Sequence, residues 1–179
     1  PVTIFMPDWM SAERIALIRS FGATIRLVSK EEGGFLGSIA LAEALAKATP
    51  GAFLPRQFAN ELNCDAHMRT TGPEIWEQTG GRVTHFIAGA GTGGTVSGAG
   101  KYLKEQNPKI RVIAGDPVGS LYSGWARTRT MGEGAPYKVE GIGNSFWPGA
   151  LDRSVVDEIK TVADADSFAA VKELARSEG

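Results

Sequence analysis

The stretch best equipped for chemistry is Gly89-Ala90-Gly91-Thr92-Gly93-Gly94-Thr95. It follows an apolar run at residues 83–88 and precedes a segment of helical character at 96–106. A strand that turns through small residues into a helix leaves several backbone N–H groups unpaired and aimed at one spot. The helix dipole favours negative charge there. Thr92 and Thr95 add two hydroxyls, so the stretch reads as a cradle for an anion, a phosphate group first of all. Gly89-x-Gly91-x-x-Gly94 also fits the dinucleotide fingerprint. Asp116 lies 22 residues beyond Gly94, near the separation at which a dinucleotide fold holds ribose hydroxyls; its other reading is a cap for the segment after Pro117.

Other chemistry is thinly represented. Cys64 is the single cysteine among 179 residues, so neither a disulfide framework nor a thiolate metal cluster is expected, which suits a reducing compartment. His67 and His85, 18 residues apart, lack the spacing of paired metal ligands, and no zinc is expected. Arg127 and Arg129 could meet an anionic substrate, although solvated loop arginines are commoner. A net charge of −1 gives no basic field, so nucleic acid is not an expected partner. No apolar run reaches membrane-span length and no signal-type start is visible, which sets the expectation of a cytoplasmic protein without a membrane partner.

The elements that must position the cradle follow from periodicity. Residues 2–6 are β-branched and aromatic and end at Pro7-Asp8, predicting a short strand. Ser11 then caps a helix carrying Ile15, Leu17, Ile18 and Phe21, which Gly22 stops. Residues 24–28 form the next strand, completing a strand-helix-strand unit whose natural product is a parallel pair. After Gly33-Gly34 comes an Ala- and Leu-rich helix at 35–48, closed by Thr49-Pro50-Gly51 at an expected boundary. Two short helices are predicted near 64–69 and at 73–78, the second capped by Thr71 or Gly72 with Pro73 in its first turn. The central unit is a strand at 83–88, the glycine loop, a helix to about 106 and a strand at 110–114. Residues 119–149 read as a long irregular loop. A strand at 155–162 and a helix at 167–176, capped by Asp164 or Asp166, bring the chain to its end.

With these motifs in order, Gly91-Thr92-Gly93-Gly94-Thr95 resembles the phosphate-binding loop of the fold-type II pyridoxal-phosphate enzymes, the group of cysteine synthase and cystathionine β-synthase. Five further blocks match in sequence order: Met6-Pro7-Asp8-Trp9-Met10-Ser11 with Glu13-Arg14, Phe21-Gly22-Ala23, Gln57-Phe58-x-Asn60, Thr70-Thr71-Gly72-Pro73-Glu74-Ile75-Trp76 and Glu140-Gly141-Ile142-Gly143. Together they span essentially the whole chain and displace the dinucleotide reading. Gly115-Asp116-Pro117-x-Gly119-Ser120, the Tyr137–Gly143 block and Leu151-Asp152-Arg153-Ser154-Val155-Val156-Asp157 resemble cystathionine β-synthase more than most cysteine synthases.

The resemblance implies an open parallel α/β sheet flanked by helices, with residues 1–50 part of a smaller N-terminal domain and 51–179 most of a larger cofactor-binding domain. It implies pyridoxal 5'-phosphate held at Gly91, Thr92, Gly93, Gly94 and Thr95, with Gly143 beside the cofactor and Gln57 and Gly141 at the amino-acid substrate. The implied reaction is β-replacement on serine or O-acetylserine by a sulfur nucleophile, in a homodimer. The Schiff-base lysine of the family precedes the "MP" strand, and none of the eight lysines here matches its motif. The serine that meets the pyridine nitrogen follows the last helix of the present chain. The expectation is therefore a central fragment, inactive alone, whose loop would take the cofactor or only phosphate or sulfate; its alternative role is a binding or interaction module.

Overall fold

The computed structural model describes residues 1–128, 130 and 133–179, and only the backbone of residues 123, 126 and 127. Arg129 and the side chain of Arg127, both candidates for an anionic substrate, thus lie outside the described residues. The chain divides into two compact units, Pro1–Pro55 and Arg56–Gly179.

In the first unit, β1 (Thr3–Pro7), α1 (Ala12–Ser20) and β2 (Thr24–Val28) form the expected strand-helix-strand unit. The strands pair in parallel from Thr3 opposite Thr24 to Pro7 opposite Val28. Ser11 caps α1 by accepting from Arg14 N. Helix α2 (Gly34–Ala48) starts behind Gly33, whose φ of +94° is a left-handed conformation that suits glycine. Met6 and Val28 are buried beneath it, and Trp9 meets Phe35 edge to face.

The second unit carries α3 (Leu62–Arg69), α4 (Thr71–Gln78), β3 (His85–Gly89), α5 (Gly94–Gln106), β4 (Arg111–Pro117), α6 (Leu121–Thr128), β5 (Glu158–Val162) and α7 (Asp164–Ser177). The strands run parallel in the order β3-β4-β5, with Gly89 opposite Gly115 and Pro117 opposite Val162. Consecutive parallel strands require crossover helices, and α5 and α6 occupy those connections. Ala90, Val96, Val112, Ala114, Tyr122, Leu151 and Val155 make the core that fixes the loop between β3 and α5.

Small residues let α5 sit deep. A Cβ at Gly98 would lie 2.9 Å from His67 Cβ and 3.0 Å from the Cys64 carbonyl carbon, so glycine is what admits α3 this close. Gly100 does the same against Val112 and Val155. The other side of the crossover is pinned by Asp157, whose carboxylate accepts from Val112 N and from Lys104 Nζ, both at 2.7 Å.

Four local expectations are corrected. The segment predicted as an irregular loop contains α6, whose Tyr122 N–H reaches the Ser120 hydroxyl; serine supplies the cap that the surrounding glycines obscured. The last strand begins at Glu158 rather than 155, because Val155 and Asp157 are used in the turn, one in the core and one as an acceptor. Helix α7 begins after Ala163 with no side-chain cap, and Asp164 instead receives Lys138 N and Val139 N. Helix α4 starts after Thr70, again without a side-chain cap, since the Thr71 hydroxyl faces His67.

Candidate active site: the glycine loop

The loop begins where β3 ends. Gly93, at φ +89°, turns the chain into α5, and a Cβ there would fall 2.5 Å from Leu151 Cβ. Ser97 N–H to Gly93 O, 3.0 Å, is the first hydrogen bond of the helix. The N–H groups of Gly94, Thr95 and Val96 therefore precede the ladder and have no intrahelical acceptor. The N-cap Gly93 offers no side chain, only the Gly94 N–H meets a hydroxyl (Thr92 Oγ1, 3.4 Å), the first turn holds no acidic residue, and Gly93, Gly94 and Val96 are buried. A buried, uncapped helix start with an uncompensated dipole fits a phosphate group.

Side chains from α3 buttress the hydroxyls. Asn63 Nδ2 donates to the Gln57 carbonyl and to Thr92 Oγ1, each at 3.0 Å. Thr95 Oγ1 lies 3.1 Å from His67 Nε2, and His67 Nδ1 lies 2.9 Å from Thr71 Oγ1. Cys64, between them on α3, gives its thiol to Ala150 O. Burial pushes that thiol up, with Asp152, Asp65 and Glu61 adding to the shift against Lys101, so it is kept as a protonated structural group.

The opposite wall comes from α6 and residues 141–144. Gly143 N donates to Ala90 O at 2.8 Å, and a Cβ on Gly91 would collide with Gly141 O. The Gly91 carbonyl accepts from Tyr122 Oη and from Asn144 Nδ2, both at 3.0 Å. Burial raises the Tyr122 phenol, which Asn144 opposes and the Asp116 charge reinforces, so Tyr122 remains an O–H donor. Gly143, at φ +76°, also sits where a Cβ would meet the Pro117 ring at 2.6 Å.

The structure thus brings Gly91, Thr92, Gly93, Gly94, Thr95, Gly141 and Gly143 into one region. Gln57 joins it through its backbone carbonyl, while the residue itself is exposed. Asp116 is fully buried in β4 and offers no open carboxylate to a ribose. Asn63, Tyr122 and Asn144 escaped the sequence reading, which weighed His67 only as a metal ligand. The i, i+4 spacing of Asn63, His67 and Thr71 was the available signal, placing all three on one side of a helical path.

The fold and this loop define a class, and the comparisons agree with it. The family model described as pyridoxal-phosphate dependent enzyme matches residues 1–179, and the chain belongs to that family. It is 41% identical over 178 residues to cysteine synthase 3 of Caenorhabditis elegans, covering 99% of this chain and 50% of that protein. It is 37% identical over 174 residues to the O-acetylserine dependent cystathionine beta-synthase of Bacillus subtilis, covering 97% of this chain and 54% of that protein. Among solved structures, a hydrogen sulfide-producing enzyme from Fusobacterium nucleatum superposes with a TM-score of 0.89 at 40% identity, over 99% of this chain and 53% of that chain. The chain spans about half the length of these relatives. Among the described residues no group of three or more His, Cys, Asp or Glu is placed to hold a metal ion, and no helix is long and apolar enough to cross a membrane.

Proposed function

We propose that this chain carries the phosphate-anchoring half of a pyridoxal-phosphate dependent β-replacement enzyme, acting on serine or O-acetylserine with a sulfur nucleophile. The observation that carries the reading is the buried, uncapped start of α5 flanked by two buttressed hydroxyls. When bound, the cofactor would supply an electron sink for removal of an α-proton and a β-substituent. The residues present contribute binding and orientation. The N–H groups of Thr95 and Val96 and the Thr92 and Thr95 hydroxyls would hold the phosphate at the Gly91–Thr95 loop, while Gly143 keeps the neighbouring loop close. Gln57 and Gly141 lie toward the amino-acid substrate in this reading.

Lysine placement supports a further part of the proposal. Lys101 and Lys104 stand on α5 seven and ten residues past its start, about 10 and 15 Å along the axis at 1.5 Å per residue. Lys104 is also held by Asp157. Neither is the residue that would join the cofactor covalently, and residues 1–179 alone do not complete that linkage. The proposal also includes a homodimer, supported by exposed Phe168, Val171 and Leu174 on α7, and a cytoplasmic setting, supported by the one free cysteine.

The test is calorimetric titration of the 179-residue chain with pyridoxal phosphate, inorganic phosphate and NAD. Binding of the first two, lost when Gly93 is replaced by Val, is the expected result. Binding of NAD alone would overturn the reading. Borohydride reduction followed by peptide mapping tests the lysine statement, and modification of any of the eight lysines would refute it.

A further inference from the structure

The hydroxyls of the glycine loop have defined directions, set by atoms on α3. The Gln57 carbonyl can only accept, so the Asn63 atom facing it at 3.0 Å is the amide nitrogen, whose second N–H goes to Thr92 Oγ1 at 3.0 Å. Gly94 N–H also approaches Thr92 Oγ1, at 3.4 Å. A hydroxyl has two acceptor sites and one proton. With both acceptor sites used, Thr92 has only its proton left to offer.

Thr95 faces His67 Nε2, and two arrangements satisfy the neutral ring. In one, the Thr71 hydroxyl donates to Nδ1 and Nε2–H donates to Thr95 Oγ1, leaving the Thr95 proton for an outside acceptor. In the other, Nδ1–H donates to Thr71 and the Thr95 proton is consumed on Nε2, leaving a lone pair of Thr95 toward the cradle. Of the two neutral arrangements only the first offers the Thr95 proton to an anion at the start of α5; a doubly protonated ring would free that proton too, but would donate to Thr71 instead of being held by it.

We propose that His67 is a positioning residue of the anion cradle: held as the Nε2–H tautomer by Thr71, it turns the Thr95 hydroxyl into a committed donor, as Asn63 does for Thr92. The inference rests on the reading of the loop as a phosphate site. It makes the loop a donor-only cradle assembled by α3 and the first residue of α4, neither of which belongs to the loop. It also gives the Thr71 hydroxyl a function at a distance, through the imidazole ring.

The experiment uses the full 179-residue chain with inorganic phosphate and pyridoxal phosphate as probes, read by calorimetry and by the ring-nitrogen NMR shifts of His67. In the loaded chain His67 should show the Nε2–H pattern. Thr95→Val should weaken phosphate binding about tenfold and Thr71→Val roughly three- to tenfold, within the range of one lost hydrogen bond to a charged group. Thr71→Val on the Thr95→Val background should change nothing further, and Thr71→Ser should restore binding, which separates a relay through His67 from a general loss of structure. An Nδ1–H or doubly protonated pattern in the loaded chain, or additive losses in the double variant, would overturn the inference while leaving the phosphate reading intact. A wild-type chain that binds neither probe would overturn both.

Discussion

Replacing Gly98 with alanine tests how the site is held. Two effects oppose each other. Alanine is the better helix former by about 1 kcal/mol, and on that ground alone α5 would gain. The new methyl, however, would lie 2.9 Å from His67 Cβ and 3.0 Å from the Cys64 carbonyl carbon, and closer still to the carbonyl oxygen. Ordinary carbon contacts lie at about 3.5–4.0 Å, so α3 must withdraw by roughly 1 Å. The obstacle is backbone and cannot rotate away. Overpacking of this kind costs about 1–3 kcal/mol, which exceeds the propensity gain of about 1 kcal/mol at all but the low end, and a net loss of up to about 2 kcal/mol is expected.

The withdrawal has a second consequence. The Asn63 to Thr92 and His67 to Thr95 distances, 3.0 and 3.1 Å, would pass beyond hydrogen-bond range. Both hydroxyls would lose their orientation together, and phosphate affinity should fall tenfold or more at temperatures where the variant is fully folded. Gly100→Ala is the comparison: its Cβ would meet the methyl groups of Val155 and Val112 at 2.9–3.1 Å, not a carbonyl, and it lies away from α3. It should lose stability without losing phosphate affinity. Thermal unfolding paired with calorimetry reads both quantities. A Gly98→Ala chain at least as stable as the parent and equal in phosphate binding would refute the close-approach argument.

Three further outcomes are expected. Burial alone would raise the Asp157 carboxyl, but hydrogen bonds from Lys104 and Val112 N, with the charges of Lys104 and Arg111, hold it below the usual carboxylate range. Its contribution to stability is therefore complete above the unfolded value near pH 4 and is lost as pH falls through the lower folded value. Asp157→Asn should cost about 1 kcal/mol at pH 7 after discounting for the partly exposed Lys104 pair, with the difference from the parent shrinking in urea melts as pH falls through the lowered folded value. Asp157→Ala should cost about 1–3 kcal/mol more, since it leaves the N–H of fully buried Val112 without its acceptor. Tyr122→Phe removes the donor to Gly91 O and should lower the melting temperature by a few degrees, for a loss of about 1 kcal/mol, while Asn144 still holds that carbonyl.

The fold was legible in the sequence wherever one periodicity ruled. The strand-helix-strand pattern from Thr3 to Val28 and the strand, glycine loop and helix from His85 to Gln106 were visible because apolar runs, cap residues and breakers agreed. Helix α6 was hidden because its eight residues sit among glycines and aromatics, and what holds it is tertiary: Tyr122 is fully buried and edge-on to Trp147, 5.2 Å between centroids. The loop itself could be read from residue types, since only small residues permit a turn that tight. Its buttresses could not, because Asn63 and Asn144 are 81 positions apart and meet the loop only through the fold.

These two sets of residues explain why a loop of such small side chains can be rigid. Glycine loses more conformational freedom on folding than any other residue, and Gly91, Gly93 and Gly94 within four positions should make the cradle costly to order. Each is constrained from outside the loop. The Gly91 carbonyl is held by Tyr122 and Asn144, Gly93 is packed against Leu151, and a Cβ on Gly94 would strike the Asn63 amide. Loop order is thereby drawn from α6 and residues 141–151, whose Tyr122 and Leu151 share a core with β4, and from α3, which packs closely on α5 at Gly98. In the proposed reading the glycines provide access to the anion, and the surrounding elements provide the order that the glycines themselves lack.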